Sequence, residues 1–368
     1  MTDDVILEAL DVVKHFGTER RWLSNKRPVQ AVDGVSLQIK RGETFAIVGE
    51  SGCGKSTLAR VLMRLLQPTG GAVRFDGTDI SHARGADLTA LRGDMQFIFQ
   101  DPFSSLNPRM SVGKLVGEPL EVHAPELGRE ALRAKVAHLL RQVGLRPEHA
   151  DRYPHEFSGG QRQRIGIARA LAAEPKLIIG DEPVSALDVS VQAQVINLLA
   201  DLRDALGLTL VVIAHDLGVI RHMSDRVAVM YLGRIVEMGT AEEVFGQPRH
   251  PYTQALLAAI PMMDGSSRDT RPELLGELPS PSNPPSGCRF HTRCPYVEDR
   301  CRAESPALAG GGHQTACHFW EQIAGRHTPS APPQRSATAE ARFALYRAAT
   351  TGGTVIHKPG IQQQRIEG

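Results

Sequence analysis

The sequence predicts an α/β fold with a largely parallel sheet, on three observations. Short apolar runs that read as buried strands alternate with segments of helical periodicity, a glycine-rich loop lies where one such strand passes into a helix, and an acidic pair closes another strand. Continuous apolar runs suit parallel strands, which are covered on both faces.

The elements follow in order. Val35, Leu37 and Ile39 alternate with polar neighbours as in a half-buried strand, and Arg41-Gly42-Glu43 turns into the run Phe45 to Val48. After the glycine-rich loop, Leu58, Val61, Leu62, Leu65 and Leu66 recur at helical spacing. Leu177 to Ile179 is a second buried run, with Gly180 where an apolar residue is expected. Val191, Val195, Leu198, Leu199 and Leu202 then predict a helix, and Leu208 to Ala214 a third strand. Between Phe103 and Phe157 the strand signal vanishes, and Leu132, Val136, Leu139, Leu140 and Val143 predict a helical insertion. From Pro248 onward proline rises, and Pro279, Pro281, Pro284 and Pro285 mark an extended connector into a cysteine cluster. Thr328 to Ala339 is rich in Pro, Ser, Thr and Ala, and the sequence predicts a mobile tail there.

Composition narrows the function classes. The 368 residues carry 42 Lys+Arg against 41 Asp+Glu, a net charge of +1, so no global field favours nucleic acid or anionic lipid. Hydrophobic residues at 41% and charged residues at 23% exclude a disordered, collagenous or coiled-coil chain and allow a sizeable core. No apolar run reaches the 18 or so residues of a membrane helix, and the start MTDDVILEAL lacks a signal core, so a soluble chain is expected.

Gly49-Glu50-Ser51-Gly52-Cys53-Gly54-Lys55-Ser56 fits G-x-x-x-x-G-K-[ST] in the required strand-to-helix context, with Thr57 beginning the helix. Glycines let successive backbone N–H groups converge on phosphate oxygens at a helix N-terminus, Lys55 supplies a charge near the β and γ phosphates, and Ser56 offers a hydroxyl to Mg²⁺. Cys53 fills a free position and reads as a bystander rather than a nucleophile, although a thiol there could make ATP binding sensitive to alkylation. A phosphate loop needs an acid for its metal. Asp181 at the end of the second buried strand is the candidate Mg²⁺ ligand, and Glu182 the general base that polarises the attacking water.

Tyr153-Pro154-His155-Glu156-Phe157-Ser158-Gly159-Gly160-Gln161-Arg162-Gln163-Arg164 resembles the signature motif of ATP-binding cassette (ABC) ATPases. The resemblance implies a P-loop NTPase cassette: a RecA-like core, an antiparallel β subdomain and a helical signature subdomain, with a small Cys-rich C-terminal extension. It implies that Ser158, Gly159, Gly160 and Gln161 act on ATP held by a partner subunit. Gln100 resembles the glutamine that senses Mg²⁺ and the attacking water, Asp188 belongs to the loop that crosses the dimer interface, and His215 resembles the histidine that contacts the γ-phosphate. Phe16 resembles the aromatic residue that stacks on adenine, with a plain core residue as the alternative. The role of the basic insert 17–30 stays open.

His250-Pro251-Tyr252-Thr253, Gly276-Glu277-Leu278-Pro279-Ser280-Pro281 and the cysteine segment resemble the C-terminal extension of dipeptide and oligopeptide importer ATPases. The implied organisation is an ATPase domain over 1–247, with its helical subdomain near 103–165, an extension over 248–325 and a tail over 326–368. The implied partners are a second, nonidentical ATPase, two transmembrane permease subunits and a periplasmic or extracellular solute-binding protein. The implied place is the cytoplasmic face of the inner membrane. The same architecture serves nickel chelates or oligosaccharides, and a soluble ABC ATPase acting on nucleic acid or ribosomes is the rival from another class; a non-catalytic module would be expected to lose Glu182 or His215.

Cys288, Cys294, Cys301 and Cys317 are spaced C-x5-C-x6-C-x15-C, without the C-x2-C pairs of zinc ribbons. Some importers of this type carry a [4Fe–4S] cluster at matching cysteines, so the resemblance implies a cluster, with Zn²⁺ or free buried thiols as alternatives. His291 and His313 are near enough in sequence to be spare ligands, ordinary loop histidines being the plainer reading.

Overall fold

A computed structural model describes residues 4–17, 27–214, 217–259 and 276–324. Its strands are β1 (Val5–Phe16), β2 (Val29–Lys40), β3 (Thr44–Val48), β4 (Gly70–Phe75), β5 (Thr78–Asp79), β6 (Met95–Ile98), β7 (Leu177–Asp181), β8 (Thr209–Ala214), β9 (Arg226–Tyr231), β10 (Arg234–Thr240) and β11 (Gln314–Thr315). One sheet is antiparallel in the order β2-β1-β4-β5; the other runs β11-β10-β9-β3-β8-β7-β6. In the larger sheet β6, β7, β8, β3 and β9 are parallel, and β10 and β11 close one edge antiparallel.

The alternation of side chains explains why the central strands are apolar throughout. Phe45, Ile47, Leu177, Ile179, Val211 and Ile213 point into a core shared with the antiparallel sheet and the helix Lys55–Leu62. Ala46, Val48, Ile178, Leu210, Val212 and Ala214 point into the opposite core, shared with the helices Val112–His123, Arg129–Gln142, Gly159–Leu171 and Val189–Leu206. Each central strand therefore buries both faces, as its sequence predicts.

Three details depart from the sequence reading. The helix after the glycine-rich loop stops at Leu62 instead of continuing through Leu65 and Leu66. Arg64 adopts φ 54°, and its guanidinium donates to the carbonyls of Ile80 at 2.6 Å and Ala83 at 3.2 Å, which turns the chain and leaves Leu65 exposed. Gly180 stands where bulk was expected because a Cβ there would lie 3.1 Å from Cγ of Pro183. The β9–β10 hairpin and strands β1, β4, β5 and β6 carry no signal that the sequence reading identified.

The cysteine-bearing segment is tied to the main sheet. β11 pairs with β10, and Phe290 is buried in the core on the helical side, in edge contact with Tyr231 and tilted contact with Tyr252. Among the described residues no helix is long and apolar enough to cross a membrane. Residues 18–26 of the basic insert and the segment 326–368 lie outside the described residues.

Candidate functional site

The loop 49–54 curls between β3 and the helix Lys55–Leu62. Gly49 and Gly54 have φ 148° and 109°, and a Cβ at either would lie 2.2 Å from the carbonyl oxygen of Met230 or 2.1 Å from that of Ala31. Only glycine lets the loop pass this close to its neighbours. Lys55 is buried and donates to the carbonyls of Gly49 at 2.7 Å and Glu50 at 2.9 Å, so its charge is held inside the curl.

Two hydrogen bonds join groups far apart in sequence. Ser56 Oγ donates to Asp181 Oδ1 at 2.7 Å, and Gln100 Nε2 donates to Glu182 Oε2 at 2.7 Å. Burial pushes the Asp181 carboxyl above its usual range, partly offset by the Ser56 hydrogen bond, so its charged form gains most from a nearby cation. Glu182 has φ 49°, a conformation costly for a residue with a Cβ, and its N–H donates to Ile213 O at 3.0 Å. Hard oxygen donors paired this way suit Mg²⁺.

These groups border one open cavity of about 610 Å³, a size that suits a small-molecule ligand. Phe16, Ser51, Lys55, Thr57, Gln100 and Glu182 face it, as do Gly52, Gly54 and Ser56. Phe16 is exposed and not part of a core, with Lys14 Nζ 5.2 Å from its ring centre. Val29, Ala31 and Pro281 also face the cavity and were missed; two are ordinary strand residues, and the third is a proline of the connector. His215 lies outside the described residues.

The signature residues do not join this cavity. Ser158 caps the helix Gly159–Leu171, accepting from Gln161 N while Gln161 Oε1 accepts from Ser158 N at 3.1 Å. This reciprocal pair fixes the helix start. Ser158 and Asp188 are both exposed. Cys53 is 1% exposed, and burial pushes its thiol pKa up against the pull of Lys55, which makes it a poor target for alkylation.

Cys288, Cys294, Cys301 and Cys317 line one small cavity with Phe290 and Phe319, and all are free of disulfides. Cys288 and Cys301 are joined through the backbone, Cys288 N donating to Cys301 O at 2.8 Å. Burial pushes the Cys294 thiol up to about 12 and Cys317 to about 11. His291 faces the same cavity; His250 and His318, which the sequence reading did not propose as ligands, face it too. His313 does not face it, since its Nε2 pairs with the fully buried Glu237 at 2.7 Å. Among the described residues no group of three or more His, Cys, Asp or Glu could hold a metal ion.

His250-Pro251-Tyr252 has a structural logic of its own. His250 Nδ1 accepts from Tyr252 N at 3.0 Å and caps the helix Pro251–Ala258, with proline at its first turn. Tyr252 Oη in turn accepts from the N–H of Glu50 in the phosphate loop at 2.7 Å.

Residues 32–185 match the family described as ABC transporter, and residues 236–301 match the oligopeptide/dipeptide transporter C-terminal region. The chain is 52% identical to the oligopeptide transport ATP-binding protein OppF of Salmonella typhimurium over 85% of this chain and 96% of that one. It is 49% identical to the dipeptide transport ATP-binding protein DppF of Escherichia coli, over 86% and 95%. Among solved structures it is similar to cbiO1 of Clostridium perfringens, part of an ABC transporter complex, at 31% identity and TM-score 0.58, covering 66% of this chain and 91% of that one. It is also similar to a dimeric ATP-binding cassette with ADP and Pi in a post-hydrolysis state, at 30% identity and TM-score 0.58, covering 64% and 99%.

Proposed function

The chain belongs to the ABC transporter ATPases, and from the geometry of its site we propose which of its residues carry out the family's ATP hydrolysis. It is the ATP-binding, ATP-hydrolysing subunit of a peptide importer. The observation that carries the assignment is the hydrogen bond from Gln100 to Glu182 across the cavity floored by residues 49–57.

Glu182 takes a proton from the attacking water as general base, and Gln100 orients both the carboxylate and that water. Lys55 and the loop amides of Gly49 to Thr57 hold the β and γ phosphates, and Phe16 carries the adenine ring. Ser56 and Asp181, already paired, would hold Mg²⁺ with Gln100, and a bound ion would supply positive charge to offset that of the transferred phosphoryl group. His215 contacts the γ-phosphate, a role resting on its sequence context alone. Ser158, Gly159, Gly160 and Gln161 act with Asp188 on the partner's ATP; what supports this is a capped helix start at an exposed Ser158, apart from the cavity that holds the chain's own phosphate loop.

The importer reading brings a second, nonidentical ATPase, two permease subunits and a solute-binding protein, and places the chain peripherally at the cytoplasmic face of the membrane. Residues 1–247 form the ATPase domain and 248–325 the extension, with 326–368 a tail. For the four cysteines a [4Fe–4S] cluster remains the reading over Zn²⁺. What supports it is that four thiols free of disulfides line one small, apolar cavity, the ligand number and type that a cluster takes. A cluster there would staple the extension and leave the hydrolysis steps to the residues above.

Glu182→Gln tests the assignment of the base. ATP binding is retained, hydrolysis falls about a thousandfold, and a closed dimer accumulates on size-exclusion chromatography with ATP. Turnover near the wild-type rate overturns it.

A further inference from the structure

Glu50 is a node between the phosphate loop and the C-terminal extension. Its carbonyl accepts from Lys55 Nζ at 2.9 Å, its N–H donates to Tyr252 Oη at 2.7 Å, and its carboxylate takes both arms of Arg293. Arg293 Nη1 donates to Oε2 at 2.6 Å and Nη2 to Oε1 at 3.0 Å, a fork-to-fork pair on a guanidinium only 5% exposed. The guanidinium also lies 5.9 Å from the ring centre of Tyr231.

The Arg293 backbone is held as firmly as its side chain. Arg293 N donates to Phe290 O at 3.0 Å and His291 N to Cys288 O at 3.0 Å, so Cys288 to Cys294 forms a compact turn. Phe290, inside that turn, packs against Tyr231 and Tyr252 with ring centres 5.2 and 5.5 Å away. The tyrosine that fixes the amide of Glu50 thus packs on the ring of Phe290, and the arginine that fixes its carboxylate is tied to the same residue through its backbone carbonyl.

We propose that Arg293 is a positioning residue for the nucleotide site: it holds Glu50, and through the Glu50 carbonyl Lys55, in the curl that receives phosphate, so the extension sets ATP affinity. A carboxylate left without this partner beside the loop would repel the incoming phosphates and free the first half of the curl. The proposal rests on the assignment of residues 49–57 to ATP phosphate.

The test compares Arg293→Met, Glu50→Gln and the double variant in full-length protein, each first shown to melt cooperatively. Binding is read by isothermal titration with MgATP, and turnover by phosphate release. Arg293→Met raises Kd and KM for ATP about tenfold while kcat at saturating ATP stays within about twofold. Glu50→Gln weakens binding by a similar factor, and the double variant is no weaker than the worse single one. An unchanged Kd in Arg293→Met, a loss of kcat without a loss of affinity, or losses that multiply in the double variant each overturn the proposal. Where Arg293→Met does not fold, Glu50→Gln decides it: unaltered affinity overturns the link. Loss of ATP binding on Lys55→Ala is a separate arm, and its absence overturns the phosphate-loop assignment itself.

Discussion

Around the phosphate loop, the ring of Phe16, the charged and hydroxyl groups of residues 51–57, the amide of Gln100 and the carboxylate of Glu182 meet at an open cavity, whereas the four cysteines sit within 30 residues of one another around a small closed one. The first is wired by hydrogen bonds between ionised or polar partners and faces solvent. The second is lined with rings and with thiols, of which burial pushes Cys294 and Cys317 well above the usual range. A site that loads and empties a polyanion needs access and fixed charge, and the enclosed thiols offer neither. The two meet at the Arg293–Glu50 pair, one residue before Cys294.

The largest effect that would sharpen this contrast comes from the open site. Lys55→Ala removes the buried charge, and ATP turnover falls by at least about a hundredfold with little change in the circular-dichroism spectrum. A melting temperature that collapses with the activity would break the contrast, by making the loop structural.

The closed site makes the opposite prediction. Protein purified anaerobically carries about four irons per chain and absorbs broadly near roughly 400 nm, and chelating the iron exposes the four cysteines to alkylation. Cys53, 1% exposed, stays unreactive in both forms. Stoichiometric zinc, or thiols equally protected after chelation, counts against the cluster.

The smallest of these effects concerns the seam where β2 meets the extension. Asp33 accepts from Arg234 at 3.0 and 2.8 Å, and Arg289 pairs with the same oxygen. Burial raises the Asp33 carboxyl, but the hydrogen bond and charge of Arg234 and the charge of Arg289 outweigh it, so the net shift is downward. A carboxyl whose folded pKa is depressed stabilises the fold above its unfolded pKa of 3.8 and loses that contribution as pH falls through the folded value. Asp33→Asn costs about 3 kcal/mol at neutral pH and lowers the melting temperature by roughly 5–10 °C. The gap between variant and wild type narrows as pH falls below 3.8 and closes only below the folded value, and a gap that does not narrow over that range would show that shape, not charge, holds the seam.

Much of the nucleotide site is legible in the sequence because its residues are contiguous and their context is local. The run from Gly49 to Ser56 needs only a strand before it and a helix after it, and the continuous apolar run Phe45 to Val48 and the helical spacing from Leu58 supply both. Gln100 and Glu182 are each marked by their motif, but that they meet at 2.7 Å depends on β6 lying beside β7. The four cysteines announce themselves by crowding. The separation of His313 from them does not, because Glu237, its partner, lies 76 residues away.

The sequence by itself determined the parallel α/β core, the phosphate loop, the acidic pair and the helical insertion, since each follows from periodicity or from chemistry within a few residues. Only the tertiary structure decided that the extension adds a strand to the main sheet, that Pro281 reaches the nucleotide cavity, and that Arg293 grips Glu50 from 243 positions away. Local patterns record what a segment must bury or cap. Which two segments share one buried charge pair is fixed by packing, and no stretch of sequence contains both halves of that information.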